Sequence, residues 1–375
     1  MSLSTSSPVV TRRLLIVMAT GLTMLTAACS GGAPARRPAT AAPDRSILVI
    51  SHRRPVASSG DITLAFAGDV HFAGRVTRLL SDPAATFGPI TAVLKSADFT
   101  AANLETPVTS RGTPQPKTYH FATTPGAFTA LRDAGVDVVT MANNHILDYG
   151  QTGLADTLRA ADAAHFPYVG AGVDAAAAWA PYVTTINGTK IAIIGVSEVA
   201  ELASSWVATA HRPGEANAID LGRTLGAVRA AKRLARIVIV FMHWGTEGMS
   251  CPDQDQLSLA PKLSAAGASI IIGAHAHMLQ GSGWLGHTFV AYGMGNFLWW
   301  ENSYSTATGV LKLTLHPHAA TTARFIPAVV SGTGQPIVDH GASARRALAH
   351  YASLRTCTGL SASPPPGTLT TTSTR

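Results

Sequence analysis

The stretch SIIIGAHAHMLQG, residues 269–281, ends an apolar run with two histidines one residue apart. Ile270, Ile271 and Ile272 read as a buried strand, bounded by Gly273. In an extended segment residues i and i+2 lie on the same side, so His275 and His277 would aim both imidazoles at one point. Taken alone, the pair reads equally as two ordinary polar residues at a strand end. The decision rests on what the chain places at its other strand ends.

From Asp61 onward, short apolar runs alternate with Ala/Leu-rich stretches of helical period. ITLAFA, ADFTAAN, VDVVTMA, KIAIIGV, RIVIVFM, ASIIIGA, TFVAYGM and GVLKLTL read as strands. Residues 87–95, 125–134, 153–164, 220–234 and 253–266 read as helices. The alternation predicts a layered α/β fold in one domain over residues 61–360, partly antiparallel between Thr288 and Val330.

Polar residues gather where these strands end. LAFAGDVHF closes with Asp69 and His71, and AANLETP with Asn103 and Glu105. VTMANNHILDYG offers Asn143, Asn144, His145 and Asp148; IVFMHWGTE offers His243 and Glu247; AYGMGNF offers Asn296. In open α/β sheets ligands collect at the carboxyl ends of strands. Buried polar groups converging at one end of a sheet need a common partner, and a metal pair satisfies them together. Oxygen and imidazole donors without thiolate suit Mn, Fe or Zn, and their number exceeds what one tetrahedral ion takes. Two ions about 3.5–4 Å apart would use them.

In this order, Asp-x-His, Asn-Leu-Glu, Asn-Asn-His-x-x-Asp-x-Gly, His-Trp-Gly-x-Glu, Gly-x-His-x-His and Gly-Asn-Phe resemble the CapA family, the poly-gamma-glutamate capsule biosynthesis group. That family is related to calcineurin-like metallophosphoesterases. The likeness runs from Ile62 to Val330. It implies a metallophosphatase-like layered fold, mixed β-sheets flanked by helices, and a divalent-metal site of two ions. Carried over residue by residue, it implies Asp69, His71 and His277 at one ion and Asn144, His243 and His275 at the other. Glu105 falls where the phosphoesterases use a bridging Asp. His145 matches the histidine that protonates the leaving group, and Asp148 would orient it. The implied role is the making, anchoring or release of an anionic envelope polymer by metal-assisted hydrolysis or transfer. A phosphoesterase acting on phosphorylated lipid or sugar is the alternative, as is a noncatalytic subunit that binds polymer or partner proteins with its metal site vestigial; a capsule-synthesis complex is the candidate assembly. Asn103, Asn143, Glu247 and Asn296 remain open between substrate contact and loop bracing. Lys117 and His120, in KTYHF, read as surface-loop residues or contacts to an anionic substrate. Trp244, Trp299 and Trp300 read as packing.

The chain ends carry a different message. TRRLLIVMATGLTMLTAACS has two arginines, an apolar stretch too short for a mature membrane span, and small residues before Cys29. LTAAC resembles a bacterial lipobox. This predicts a lipoprotein signal peptide over residues 1–28, lipidation of Cys29, and export to the outer face of the cytoplasmic membrane. Cleavage without lipidation is the alternative. Of the formal charge of +7, Arg12 and Arg13 supply two, and residues 29–60, with five Arg against one Asp, supply four. The basicity thus sits in a Pro/Ala/Arg-rich tether, and no basic stripe suggests nucleic acid. With Cys29 acylated, Cys251 and Cys357 remain as an even pair for a disulfide. Residues 361–375 read as a disordered tail.

Overall fold

The alternation in ITLAFAGDV becomes β1 (Ile62–Val70), a strand buried on both faces: Ile62, Leu64 and Phe66 join one apolar cluster, Ala65 and Ala67 another. This two-sided burial follows from its place in a stack of layers. The structure is a computed structural model that describes residues 60–366, 368 and 371. The predicted signal peptide, Cys29 and all but the last residue of the predicted tether lie outside the described residues.

One sheet runs in the order β16 (Pro336–Val338), β15 (Thr322–Val330), β14 (Ala307–Leu315), β1, β2 (Phe99–Leu104), β3 (Val138–Thr140), β4 (Tyr168–Val169), with β13 (Asn296–Leu298) also beside β1. The second runs β11 (Ser282–Leu285), β12 (Thr288–Ala291), β10 (Ile270–His275), β9 (Ile237–Trp244), β7 (Thr189–Ser197), β6 (Tyr182–Ile186). A small ribbon pairs β5 (Ala171–Gly172) with β8 (Gly214–Glu215). Both sheets are mixed. β1 to β4 are mutually parallel, as are β7, β9, β10 and β12, while β14, β15, β16, β11 and β6 pair antiparallel.

The sheets face each other through one cluster, in which Ile62, Leu64 and Phe66 meet Ile193, Ile239, Phe241 and Ile272. Outside the first sheet, the helices Ile90–Lys95, Gly126–Ala134 and Gly150–Ala163 bury Leu94, Phe128, Leu131 and Leu154. Outside the second, Leu221–Leu234 and Gln254–Ala266 bury Val228, Ala260 and Leu263. The result is a mixed α/β fold of two mixed sheets flanked by helices. Its parallel strands point their carboxyl ends the same way within each sheet, which collects the strand-end polar residues in one region. The helix Gln254–Ala266 starts on a capping box, with Asp253 accepting from Gln256 N and the Gln256 side chain accepting from Asp253 N.

The helix Gly341–Ser353 has no counterpart in the sequence reading. Among its residues only Tyr351 is buried, stacked on Phe325 at 3.9 Å, so its apolar pattern is too thin to register. Of the segment read as a disordered tail, Ser361 exchanges backbone hydrogen bonds of 2.8 and 2.9 Å with Trp284 on the edge strand β11. Among the described residues no helix is long and apolar enough to cross a membrane.

Cys251 and Cys357 are disulfide-bonded, 106 residues apart in sequence, joining the segment after β9 to the end of the C-terminal helical region. Closing a loop of that length restricts the unfolded chain by about 4–5 kcal/mol in the chain-entropy account. Cys357→Ser is expected to lower the unfolding free energy by about 2–4 kcal/mol in urea titrations. A change below about 0.5 kcal/mol would show that the crosslink contributes nothing to stability.

Candidate metal centre

Asp69 is the node of the site. It lies where the β1–β2 register shifts, opposite Asn103 on β2 and Asn296 on β13. β13 reaches this position because Gly68 has no side chain: a Cβ there would lie 1.9 Å from the Gly295 carbonyl oxygen. Asp69 N donates to that same carbonyl at 3.0 Å. From the second sheet, His275 N approaches Asp69 Oδ2 at 3.3 Å, and His277 Nδ1 lies 3.4 Å from the same oxygen. Asp69 therefore touches both sheets.

The two histidines of the opening stretch do not share a strand face. β10 stops at His275, and both His275 (φ 87°) and His277 (φ 55°) adopt left-handed backbone, which side chains with a Cβ rarely take. Their rings stand 5.9 Å apart. The convergence comes from a strained turn rather than from strand alternation. Strain of this kind persists only where surrounding structure over-determines it.

Around Asp69 the donors form two overlapping groups. Ligand atoms of Asp69, Glu105 and His243 all lie within 4.8 Å of one another, and so do those of Glu105, His275 and His277. Glu105 belongs to both. His275 and His277 fall together in one group and Asp69 with His243 in the other, while Asp69 also lies 3.4 Å from His277, and the His243 and His275 rings stand 4.7 Å apart. Asn144 joins through its Oδ1, 2.9 Å from His243 Nε2. His71 is wholly buried; its Nδ1 accepts from Ala73 N at 3.1 Å, and its ring packs edge-on against Phe121 at 3.7 Å.

The chemistry of this donor set fits a divalent cation. Both Glu105 oxygens, His71 Nε2, His275 Nδ1 and His277 Nδ1 are buried without a hydrogen-bond partner among the described residues. Burial, reinforced by the Asp69 carboxylate, pushes Glu105 well above the usual carboxylate range. Burial also holds His71, His243 and His275 well below the usual histidine range, with the neighbouring histidines adding to it. Neutral imidazoles present lone pairs, and two close carboxylates need positive charge.

Beside this cluster stands a second constellation. His145 Nδ1 lies 2.9 Å from Asp148 Oδ2, which also accepts from Phe121 N at 2.8 Å. Burial pushes the Asp148 carboxyl up to about 6, opposed by the nearby Lys117 ammonium. His145 N donates to Asn143 Oδ1 at 3.1 Å, and Asn143 Nδ2 donates to Asn103 Oδ1 at 3.0 Å. Asn103 Nδ2 in turn donates to Asp69 Oδ1 at 2.8 Å. The polar atoms of Asn103 and Asn143 are thus engaged within the protein, linking His145 to Asp69. Asn296 is buried, its Oδ1 without a hydrogen-bond partner among the described residues, whereas Glu247 is exposed and accepts from Tyr304 OH at 2.7 Å.

Two residues of KTYHF part company. His120 stays outside the cluster, 2.5 Å from the Gln115 carbonyl. The Lys117 side chain, read as surface or substrate-facing, is 2 % exposed and turned inward to Asp148. Nothing in its local sequence signals this; its partners Asn144, Asp148 and Glu201 come 27, 31 and 84 positions later.

Residues 63–299 match the family described as bacterial capsule synthesis protein PGA_cap. The chain belongs to this family. It is 29% identical over 262 residues to the capsule biosynthesis protein CapA of Bacillus anthracis, covering 68% of this chain and 62% of that protein. It is 31% identical over 242 residues to the PGA biosynthesis protein CapA of Bacillus subtilis, covering 63% of each. The chain thus spans a little under two thirds of these relatives' lengths. Among solved structures, a phosphatase from Mycoplasma pneumoniae aligns at 16% identity with a TM-score of 0.44, over 71% of this chain and 94% of that one.

Ligand and non-ligand roles separate by metal analysis of this PGA_cap protein. His275→Ala and Asp69→Ala each remove a donor and are expected to lower bound Mn or Zn. His145→Ala, which removes none, is expected to retain it. Equal metal loss in all three variants would reject the separation.

Proposed function

We propose that the chain is an exported, metal-dependent hydrolase or transferase of the cell envelope, acting in the synthesis, anchoring or release of an anionic capsule polymer of the poly-gamma-glutamate type. The observation that carries the chemistry is the buried carboxylate–imidazole cluster with Glu105 common to both donor groups. The polymer assignment rests on family membership and on the two CapA relatives. The Cys251–Cys357 disulfide suits an oxidising compartment, in keeping with export and anchoring through Cys29.

Asp69, His71, Glu105, Asn144, His243, His275 and His277 would hold two divalent cations, Mn, Fe or Zn. Such ions, when bound, polarise a scissile acyl or phosphoryl group and make water a stronger nucleophile near neutral pH. The protein's own residues do the rest. Asn103 fixes the Asp69 carboxylate, and Asn143 fixes Asn103 and the His145 backbone. His145 keeps Nδ1 on Asp148, which leaves Nε2 to pass a proton to the departing oxygen or nitrogen. Asp148, accepting from Nδ1, offsets the positive charge that the ring carries before the transfer. Phe121, Trp299 and the buried walls of both sheets limit water at His71 and His277.

The test is turnover by the purified full chain loaded with Mn or Zn, on poly-gamma-glutamate and on aryl and alkyl phosphodiesters. The expected result is metal-dependent cleavage, with His145→Ala slowed about 10²–10⁴-fold on poor leaving groups and much less on good ones. A metal-loaded protein that cleaves none of these overturns the hydrolase reading and favours the binding-subunit alternative.

A further inference from the structure

Lys117 lies outside the donor cluster, yet its ammonium is among the most constrained groups near it. The side chain is 2 % exposed, and Nζ sits 3.1 Å from Asp148 Oδ1 and 3.3 Å from Glu201 Oε2. Nζ also donates to the Asn144 backbone carbonyl and lies 3.3 Å from His145 Nδ1. The Trp206 ring stands 5.3 Å below it. A buried ammonium persists only with such partners.

We propose that Lys117 is a positioning residue for His145, fixing both the carboxylate that orients the imidazole ring and the backbone that carries it. Asp148 divides its two oxygens: Oδ1 faces Lys117, and Oδ2 takes His145 Nδ1 and the Phe121 N–H. With one oxygen held, the carboxylate cannot rotate without breaking an ion pair. The Asn144 carbonyl bond secures the peptide that joins Asn144 to His145. Lys117 belongs to the segment between β2 and the helix Gly126–Ala134, and Glu201 to the segment after β7. One ammonium therefore ties three separate segments at the place where the His145 ring is aimed. The competing reading, in which Lys117 meets an anionic substrate, conflicts with its burial and with the number of its internal partners.

This inference rests on the assignment of His145 as proton donor, so its test has an arm independent of turnover. Full-length protein labelled with ¹⁵N-histidine and loaded with Zn reports the His145 ring nitrogens by NMR, assigned against His145→Ala. Lys117→Met, with Lys117→Gln as a second variant, is expected to keep bound zinc while shifting or doubling the His145 signals. On poor leaving groups kcat is expected to fall about 10–100-fold, the scale of partners one layer removed from a site, with KM within about twofold. Unchanged His145 signals in a folded variant overturn the proposal. So does a rise in KM at constant kcat, which would make Lys117 a substrate contact. If the wild-type protein turns over no substrate, the hydrolase reading fails, and the NMR comparison alone decides the role of Lys117.

Discussion

Two carboxylates, Asp69 and Glu105, are fully buried within reach of each other and of three buried histidines. Burying like charges together is among the costliest arrangements available to a fold, and it is sustained only by compensating positive charge or by protonation. The push of Glu105 away from its ordinary ionisation is the signature of that cost. Much of the architecture around it can be read as the means of holding these groups together. Two sheets must bring strand ends from both halves of the chain to one place. Gly68 must lack a side chain so that β13 can lie against β1.

The same constraint accounts for the strained backbone at His275 and His277. A regular continuation of β10 would keep His275 and His277 on one face but set His277 about 6.6 Å further along the strand. Ending the strand and turning through left-handed conformations keeps the backbone N–H of His275 and the ring of His277 near the same carboxylate oxygen. Gly248 N donates to the Ala276 carbonyl at 2.8 Å, and Met294 N to that of Gly273 at 2.9 Å, so the turn is held from both sides. Rigidity here serves function, because donors fixed before a cation arrives lose little freedom on binding it.

How much of this was legible in the sequence depends on the range over which each feature is encoded. The parallel strands carry continuous Val/Ile runs, and their helices carry periodic Ala and Leu, so the layered α/β class follows from local pattern. Strand-end Asp, His and Asn residues marked the site for the same reason. The convergence of His275 and His277 is legible in the sequence but its backbone is not, since nothing in AHAH signals left-handed conformation without glycine. Lys117 was misplaced because its burial depends on Asp148 and Glu201, which the chain supplies from two other segments. The Gly341–Ser353 helix went unread because a single buried tyrosine leaves no periodic stripe.

Glu105 shows how position and side-chain length combine. Asn103 sits level with Asp69 in the sheet and spends its amide on that carboxylate, so the strand position nearest the node is already taken. Glu105 lies two residues further on, past the last residue of β2, where its backbone N–H still bonds the Val70 carbonyl at 3.0 Å. From there its carboxylate reaches donors of both groups, with Oε1 3.5 Å from His243 Nε2. An aspartate at the same backbone position would be one methylene shorter and would have to move the backbone to keep both groups in reach. The longer residue therefore suits this register: Asn103 braces the first carboxylate, and Glu105 spans to the second set of donors.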